Sequence, residues 1–115
     1  MSDSIFSQII KRQIPASIEF EDQNFIVIHD IHPKAPVHVL IIPKKAYRNL
    51  EEVAFDDQRF YVQLLQLARH MAKQLKIADN YKLFMNVGEQ VQDVQHLHLH
   101  LMGGWKQKKT ALFNE

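Results

Sequence analysis

The stretch His96-Leu97-His98-Leu99-His100-Leu101-Met102 alternates imidazole with aliphatic side chains over seven positions. Successive side chains of a strand point to opposite faces, so this alternation predicts a strand with one polar and one buried face. All three histidines then share a side. Histidine is the only side chain whose unperturbed pKa lies between pH 5 and 8, so three in register gather nucleophile, base and acid at one place. A lone histidine is commonly a surface residue or a satisfied core polar group; three at alternate positions would need three separate structural reasons.

Same-face neighbours on a strand lie roughly 7 Å apart, which puts His96 and His100 about 13 to 14 Å apart. The three therefore cannot crowd onto one small ion. A His-x-His pair can ligate zinc, but a third or fourth ligand is then required, and only His38, Asp30 and His29 are candidates. The other use is nucleophilic: a neutral imidazole attacks phosphorus or a carbonyl carbon while flanking imidazoles and loop amides stabilise charge on the acceptor. The chain offers no serine or cysteine elbow for that role.

Outward from this stretch, Gly103-Gly104 closes the strand and a polar loop over residues 88–95 precedes it. Residues 81–87 read as a further strand. Over residues 57–76, Phe60, Leu64, Leu67, Ala68, Met71, Ala72 and Leu75 repeat at helical spacing behind an acidic start, which predicts the main helix, with His70 on its solvated side. Residues 37–42 are apolar except His38, the pattern of an interior strand covered on both faces and ended by Pro43, so His38 needs a polar partner. Between His29 and Pro36 two prolines bias the chain toward an ordered loop. Ile18-Glu19-Phe20-Glu21 alternates as a half-buried strand, Asp22-Gln23-Asn24 favours a turn, and residues 25–28 form a second strand, together a hairpin. Residues 4–12 place Ile5, Phe6, Ile9 and Ile10 at helical spacing behind a Ser4 or Asp3 cap. The order predicts an α+β domain with a mainly antiparallel sheet, one short N-terminal helix and one long central helix.

The 115 residues suit a single unit over 1–115. Apolar residues at 46% and charged residues at 23% are globular proportions, which argue against extended disorder. Net charge is +1, and the basic clusters Lys44-Lys45 and Lys106-Lys108-Lys109 are too small for the basic stripe of a nucleic-acid platform. The absence of cysteine removes disulfides, thiolate metal sites and thiol nucleophiles. The first twenty residues carry Asp3, Lys11, Arg12 and Glu19 without an apolar leader core, and no apolar run reaches a membrane span, so the expectation is a cytoplasmic chain without a membrane partner.

The histidine stretch followed by Gly103-Gly104 resembles the motif of the histidine triad superfamily. Ile5-Phe6, Ile14-Pro15-Ala16, Asp30-Ile31, Pro33-Lys34-Ala35-Pro36-Val37-His38 and Ile42-Pro43-Lys44-Lys45 resemble the Hint branch of that superfamily, in order and over nearly the whole chain. The resemblance implies a HIT-like fold and a purine nucleoside phosphoramidate hydrolase that works through a nucleotidyl-histidine intermediate, with no cofactor and no metal, in a homodimer whose sheets join. His98 would be the nucleophile. His100 would support the phosphate site and, with His38, orient His98, while His96 would sit beside the leaving group. Asp30 would accept the ribose hydroxyls, suited by its two acceptor oxygens. Ile5, Phe6, Ile9, Ile14, Ile28, His29 and Ile31 would line the purine slot, with simple core packing as the competing account of the isoleucines. Asn86 would help hold the phosphate, and Gln92 and Asp93 would flank it. The family usually has a glycine pair in this last loop, whereas this chain has Gln90-Val91-Gln92-Asp93. Two further readings stay open beside the hydrolase: a nucleotide-binding regulatory module with little turnover, and a dinucleoside polyphosphate hydrolase.

Overall fold

The computed structural model describes residues 3–106. Lys108, Lys109 and the rest of the tail from 107 on lie outside the described residues. Five strands, β1 (Ile18–Glu21), β2 (Phe25–His29), β3 (Val37–Pro43), β4 (Tyr81–Phe84) and β5 (Leu99–Gly103), form one sheet in the order β1-β2-β3-β5-β4. Every neighbouring pair is antiparallel. Helix α1 (Ile5–Ile10) packs on one face and helix α2 (Gln58–Gln74) on the other.

β3 pairs with both β2 and β5, and this central place explains its apolar run. Val39 and Ile41 join the α2 core with Phe60, Leu64, Leu67, Ala68 and Met71. Leu40 and Ile42 join the α1 core with Phe6, Ile9, Ile26 and Ile28. A charged strand could not sit there, because both faces are closed to water.

The long helix starts where its sequence directs, with the Asp57 side chain accepting the Phe60 N–H at 3.1 Å. Ser4 caps α1 in the same way, accepting from Ser7 N–H at 3.0 Å. Both helices stop two residues short of their expected ends at residues 12 and 76. Each ends on a basic residue in the left-handed region, Arg12 at φ 62° and Lys76 at φ 62°. Gln13 N–H then reaches Gln8 O at 2.8 Å, and Ile77 N–H reaches Ala72 O at 2.9 Å. These closures satisfy the last free carbonyls and turn Ile77 into the core, a geometry that glycine usually provides.

Three expectations about strands need correction. The alternation of Ile18 to Glu21 is broken by a shift in register between Ile18 and Phe20, which leaves Ile18 exposed. β4 ends at Phe84, three residues short of Val87, because its partner leaves the ladder after His100. The histidine stretch is a strand only from Leu99 onward. His96 to His98 instead approach the loop after β3, where Leu97 N–H donates to Tyr47 O at 2.8 Å. Its histidine face is not a solvent face either: His96 and His98 are buried, each meeting the Phe6 ring edge to face with ring centroids 6.0 and 5.0 Å apart.

Candidate active site

Alternation along the histidine segment still does what the pattern requires. Leu97, Leu99 and Leu101 enter the α2 core, while the histidines turn toward α1 and the loop after β2. β3 brings His38 against the same face, with His38 Nε2 at 3.0 Å from His100 Nδ1. Four imidazoles therefore meet, and each ring nitrogen has a neighbour or an opening that assigns its role.

Burial holds His38 and His96 below the ordinary imidazole pKa; Asp30 partly offsets this at His38 and the Pro43 carbonyl at His96. His100 is pushed down to about 4, first by burial and then by His98 and His38, against the opposing pull of Asp30 and Asp93. These three are neutral at pH 7, so each carries one donor and one acceptor nitrogen. His38 Nδ1 accepts the Lys34 backbone N–H at 3.0 Å, which puts its proton on Nε2. That proton points to His100 Nδ1, and the proton of His100 must then sit on Nε2. His96 donates from Nε2 to Pro43 O at 2.9 Å, and its Nδ1 accepts from the Ser4 hydroxyl at 3.0 Å, with the Ser7 hydroxyl at 3.3 Å. His98 Nδ1 faces the His96 carbonyl at 2.7 Å and must donate to it, which leaves Nε2 as the nitrogen of that ring able to offer a lone pair. No buried polar side-chain atom among the described residues lacks a partner, so His98 Nε2 and His100 Nε2, which have none, reach the open side of the site.

Asp30, His38 and His100 could each offer a ligand atom within 4.8 Å of the others, a spacing a cation could use. The hydrogen bonding opposes it. A ligating His38 Nε2 would have to move its proton to Nδ1, which already receives the Lys34 N–H. Asp30 is also engaged, its Oδ1 accepting His32 N–H at 2.8 Å and its Oδ2 lying 3.5 Å from His38 Nε2.

The remaining expected residues fall into groups. Phe6, Ile9 and Ile28 are core residues of the α1 face, and Ile14 packs at their margin. Ile5 and Ile31 are exposed, Ile31 at 80%. His29 is paired with Glu19, Nε2 to Oε1 at 2.9 Å. Asn86 and Asp93 are exposed. Gln92 is buried and braces its own loop, accepting Gly88 N–H at 2.7 Å and donating to Arg48 O and Val94 O. That brace lets the loop stand without the glycine pair. A cavity of about 530 Å³ opens beside His96 and is lined by Ser4, Ile5, Ser7, Arg48 and Asp93. Ser4 reads from sequence only as a helix cap, and the backbone groups of Lys34 and Pro43 give no sequence signal at all.

The fold and site define an α+β domain in which an antiparallel sheet presents an H-x-H-x-H segment and a fourth histidine beneath a short helix. The chain belongs to the HIT family: the HIT domain model matches residues 11–107. It is 46% identical over 103 residues to an uncharacterized HIT-like protein of Synechocystis sp., covering 89% of this chain and 90% of that one. It is also similar to the solved HIT family hydrolase from Clostridium thermocellum, with a TM-score of 0.85 and 39% identity, over 96% of this chain and 97% of the other. The solved histidine triad nucleotide-binding protein from Candida albicans superposes with a TM-score of 0.77 at 29% identity, over 96% of this chain and 88% of that one.

Proposed function

We propose that this protein hydrolyses purine nucleoside phosphoramidates through a nucleotidyl-histidine intermediate. The carrying observation is the 2.7 Å bond from His98 Nδ1 to the His96 carbonyl, which directs the lone pair of Nε2 to the open side of the site. Among the four imidazoles, His98 alone keeps an unengaged lone pair there. Nε2 attacks the α-phosphorus, the phosphorus–nitrogen bond of the substrate breaks, and the amine departs with a proton. Water then attacks the phosphorus, the bond to Nε2 breaks, and the nucleoside monophosphate leaves. His100 Nε2–H donates to a phosphoryl oxygen, where charge accumulates in both steps. His38 holds His100 in that tautomer. Asp30, at the rim, accepts the ribose hydroxyls, and the exposed Ile31 and Ile5 offer apolar surface to the base.

His96 has both nitrogens engaged, so its part is to anchor α1 to the sheet through Ser4 and Pro43, and the leaving amine takes its proton from solvent. The Clostridium thermocellum neighbour is a hydrolase by name and the Candida albicans neighbour a nucleotide-binding protein, and both names support the class of reaction. A homodimer and a cytoplasmic setting belong to the same reading; Val62 and Leu65, exposed on α2, are apolar surface that a second copy would cover. The reading is tested by rapid acid quench with adenosine phosphoramidate. An AMP-sized adduct on the peptide that contains His98 supports it. Turnover without an adduct means direct attack by water, and nucleotide binding without turnover means a binding module.

A further inference from the structure

One face of the His100 ring is covered by a side chain that takes no part in binding or bond-making. Phe84 lies opposite His100 in the β4–β5 ladder. Its ring rests flat on the imidazole, with centroids 4.6 Å apart and planes 4° apart. Phe84 lies on β4, an edge strand of this sheet, and is 41% exposed in the single chain. The other neighbours of His100 meet it at an angle: His38 at 5.3 Å and 43°, and His98 at 5.1 Å and 58°.

We infer that Phe84 is a positioning residue for the hydrolytic reaction, one that fixes the plane of His100 so that Nε2–H stays aimed at the phosphoryl group. The inference rests on the hydrolase reading above. The bond from His38 holds His100 at Nδ1 only, which leaves the ring free to tilt and carry Nε2 away from the site. A flat ring stacked in offset on that face opposes the tilt. The same contact keeps water from the imidazole. Protonation of His100 at Nδ1 would set its N–H against the Nε2–H of His38, so a neutral ring is needed for the relay. The groups that face His100 are His98, His38, Asp30 and Asp93, with Lys34 beyond His38. Desolvation leads the effects that hold its pKa down to about 4, and the ring of Phe84 lies over one side of the imidazole.

The test compares Phe84→Ala, Phe84→Leu and Phe84→Tyr in the full chain, with molecular mass checked by light scattering. Ring titration of His100 is followed by NMR without substrate, and kcat and KM are measured with adenosine phosphoramidate. Phe84→Ala should raise the His100 midpoint by about one pH unit, since water reaches the ring. It should lower kcat up to about tenfold, the strength of an aromatic stack, with KM nearly unchanged. Phe84→Tyr should restore both values. Phe84→Leu fills the space without a flat face, so it should keep the wild-type mass and thermal midpoint but not kcat. A leucine variant as active as wild type, or a His100 midpoint that Phe84→Ala leaves in place, overturns the inference. Absence of turnover in wild type would instead sink the hydrolase reading, while the substrate-free titration still decides whether Phe84 governs His100.

Discussion

His98 donates its Nδ1 proton to the carbonyl oxygen of His96, two residues back on its own segment, across 2.7 Å. The ring is thus oriented by the backbone that carries it, and the lone pair on Nε2 needs no other residue to expose it. Replacing His98 with alanine removes the attacking atom while leaving the α1 core of Phe6, Ile9, Ile28 and Leu40 in place. Turnover of adenosine phosphoramidate should fall by about four orders of magnitude in kcat, with AMP binding retained in calorimetry. A variant within tenfold of wild type would exclude His98 as nucleophile.

His38 is buried, with one nitrogen receiving the Lys34 N–H and the other serving His100. Alanine there leaves His100 Nδ1 without a donor and frees its tautomer, so kcat should drop by about ten- to a hundredfold, in the range of lost outer hydrogen bonds. Glutamine offers a carbonyl to Lys34 and an amide N–H to His100, and it should recover part of the loss. Equal defects in both variants would mean that packing, not the proton relay, is what His38 contributes.

Acid should destabilise the fold before the carboxylates titrate. The folded pKa values of His38, His96 and His100 lie below 6.5, so between pH 6.5 and about 4 the unfolded chain binds more protons than the folded one. Stability therefore rises with pH across that window and is lost as pH falls through it. Glu19 and Glu21, held low by their partners, act below 4.5. Thermal midpoints should drop from pH 7 to pH 5, and the drop should shrink in His100→Asn. A flat profile over that range would show the histidines to be solvated in solution.

Turnover should persist in excess chelator, because His38 Nε2, the central atom of the one cation-sized cluster found among the described residues, carries a proton fixed there by Lys34. Loss of activity on chelation, restored by zinc, would reverse the proton assignments of His38 and His100.

Lys76 ends α2 in the left-handed region at φ 62°, where a side chain costs about 1 to 2 kcal/mol relative to glycine. Lys76→Gly should therefore stabilise the fold, by about 1 kcal/mol after the entropy that glycine gains in the unfolded chain. A rise of several degrees in the thermal midpoint is the expected reading. Gly103 gives the contrasting case: a Cβ there would meet Ile77 Cδ1 at 2.8 Å and Asn80 O at 3.1 Å. Gly103→Ala should lower the midpoint for want of space.

The helix over residues 58–74 was legible because its apolar positions, from Phe60 to Ala72, repeat at one period, and the hairpin because a run of turn-formers separates two apolar stretches. The family motif likewise pointed to the four histidines that meet. What sequence did not disclose were the groups that assign their protons. The Lys34 N–H and the Pro43 and His96 carbonyls are backbone atoms, which carry no mark of the side chain attached to them. Ser4 carried a cap signal that concealed its second bond, to His96. Phe84 read as an ordinary strand residue because the stack with His100 depends on the register of two strands far apart in the chain. The end of β4 was missed for a related reason: a strand ends where its partner departs, and that departure is set by a loop after β3.

The alternation of Leu97, Leu99 and Leu101 with His96, His98 and His100 assigns two duties to one short run of chain. Odd positions hold the sheet to α2, and even positions turn their imidazoles to the face that carries α1, with no residue serving both. Insertion or deletion of a single codon here would exchange the two sets at once, driving imidazoles into the hydrocarbon core and leaving leucines on the face that carries α1. Drift by substitution is open to this segment one colour at a time, whereas drift in length is closed to it. Lineages that alter this protein's substrate are thereby confined to changing the surroundings of the stretch, such as the loop braced by Gln92, and not its frame.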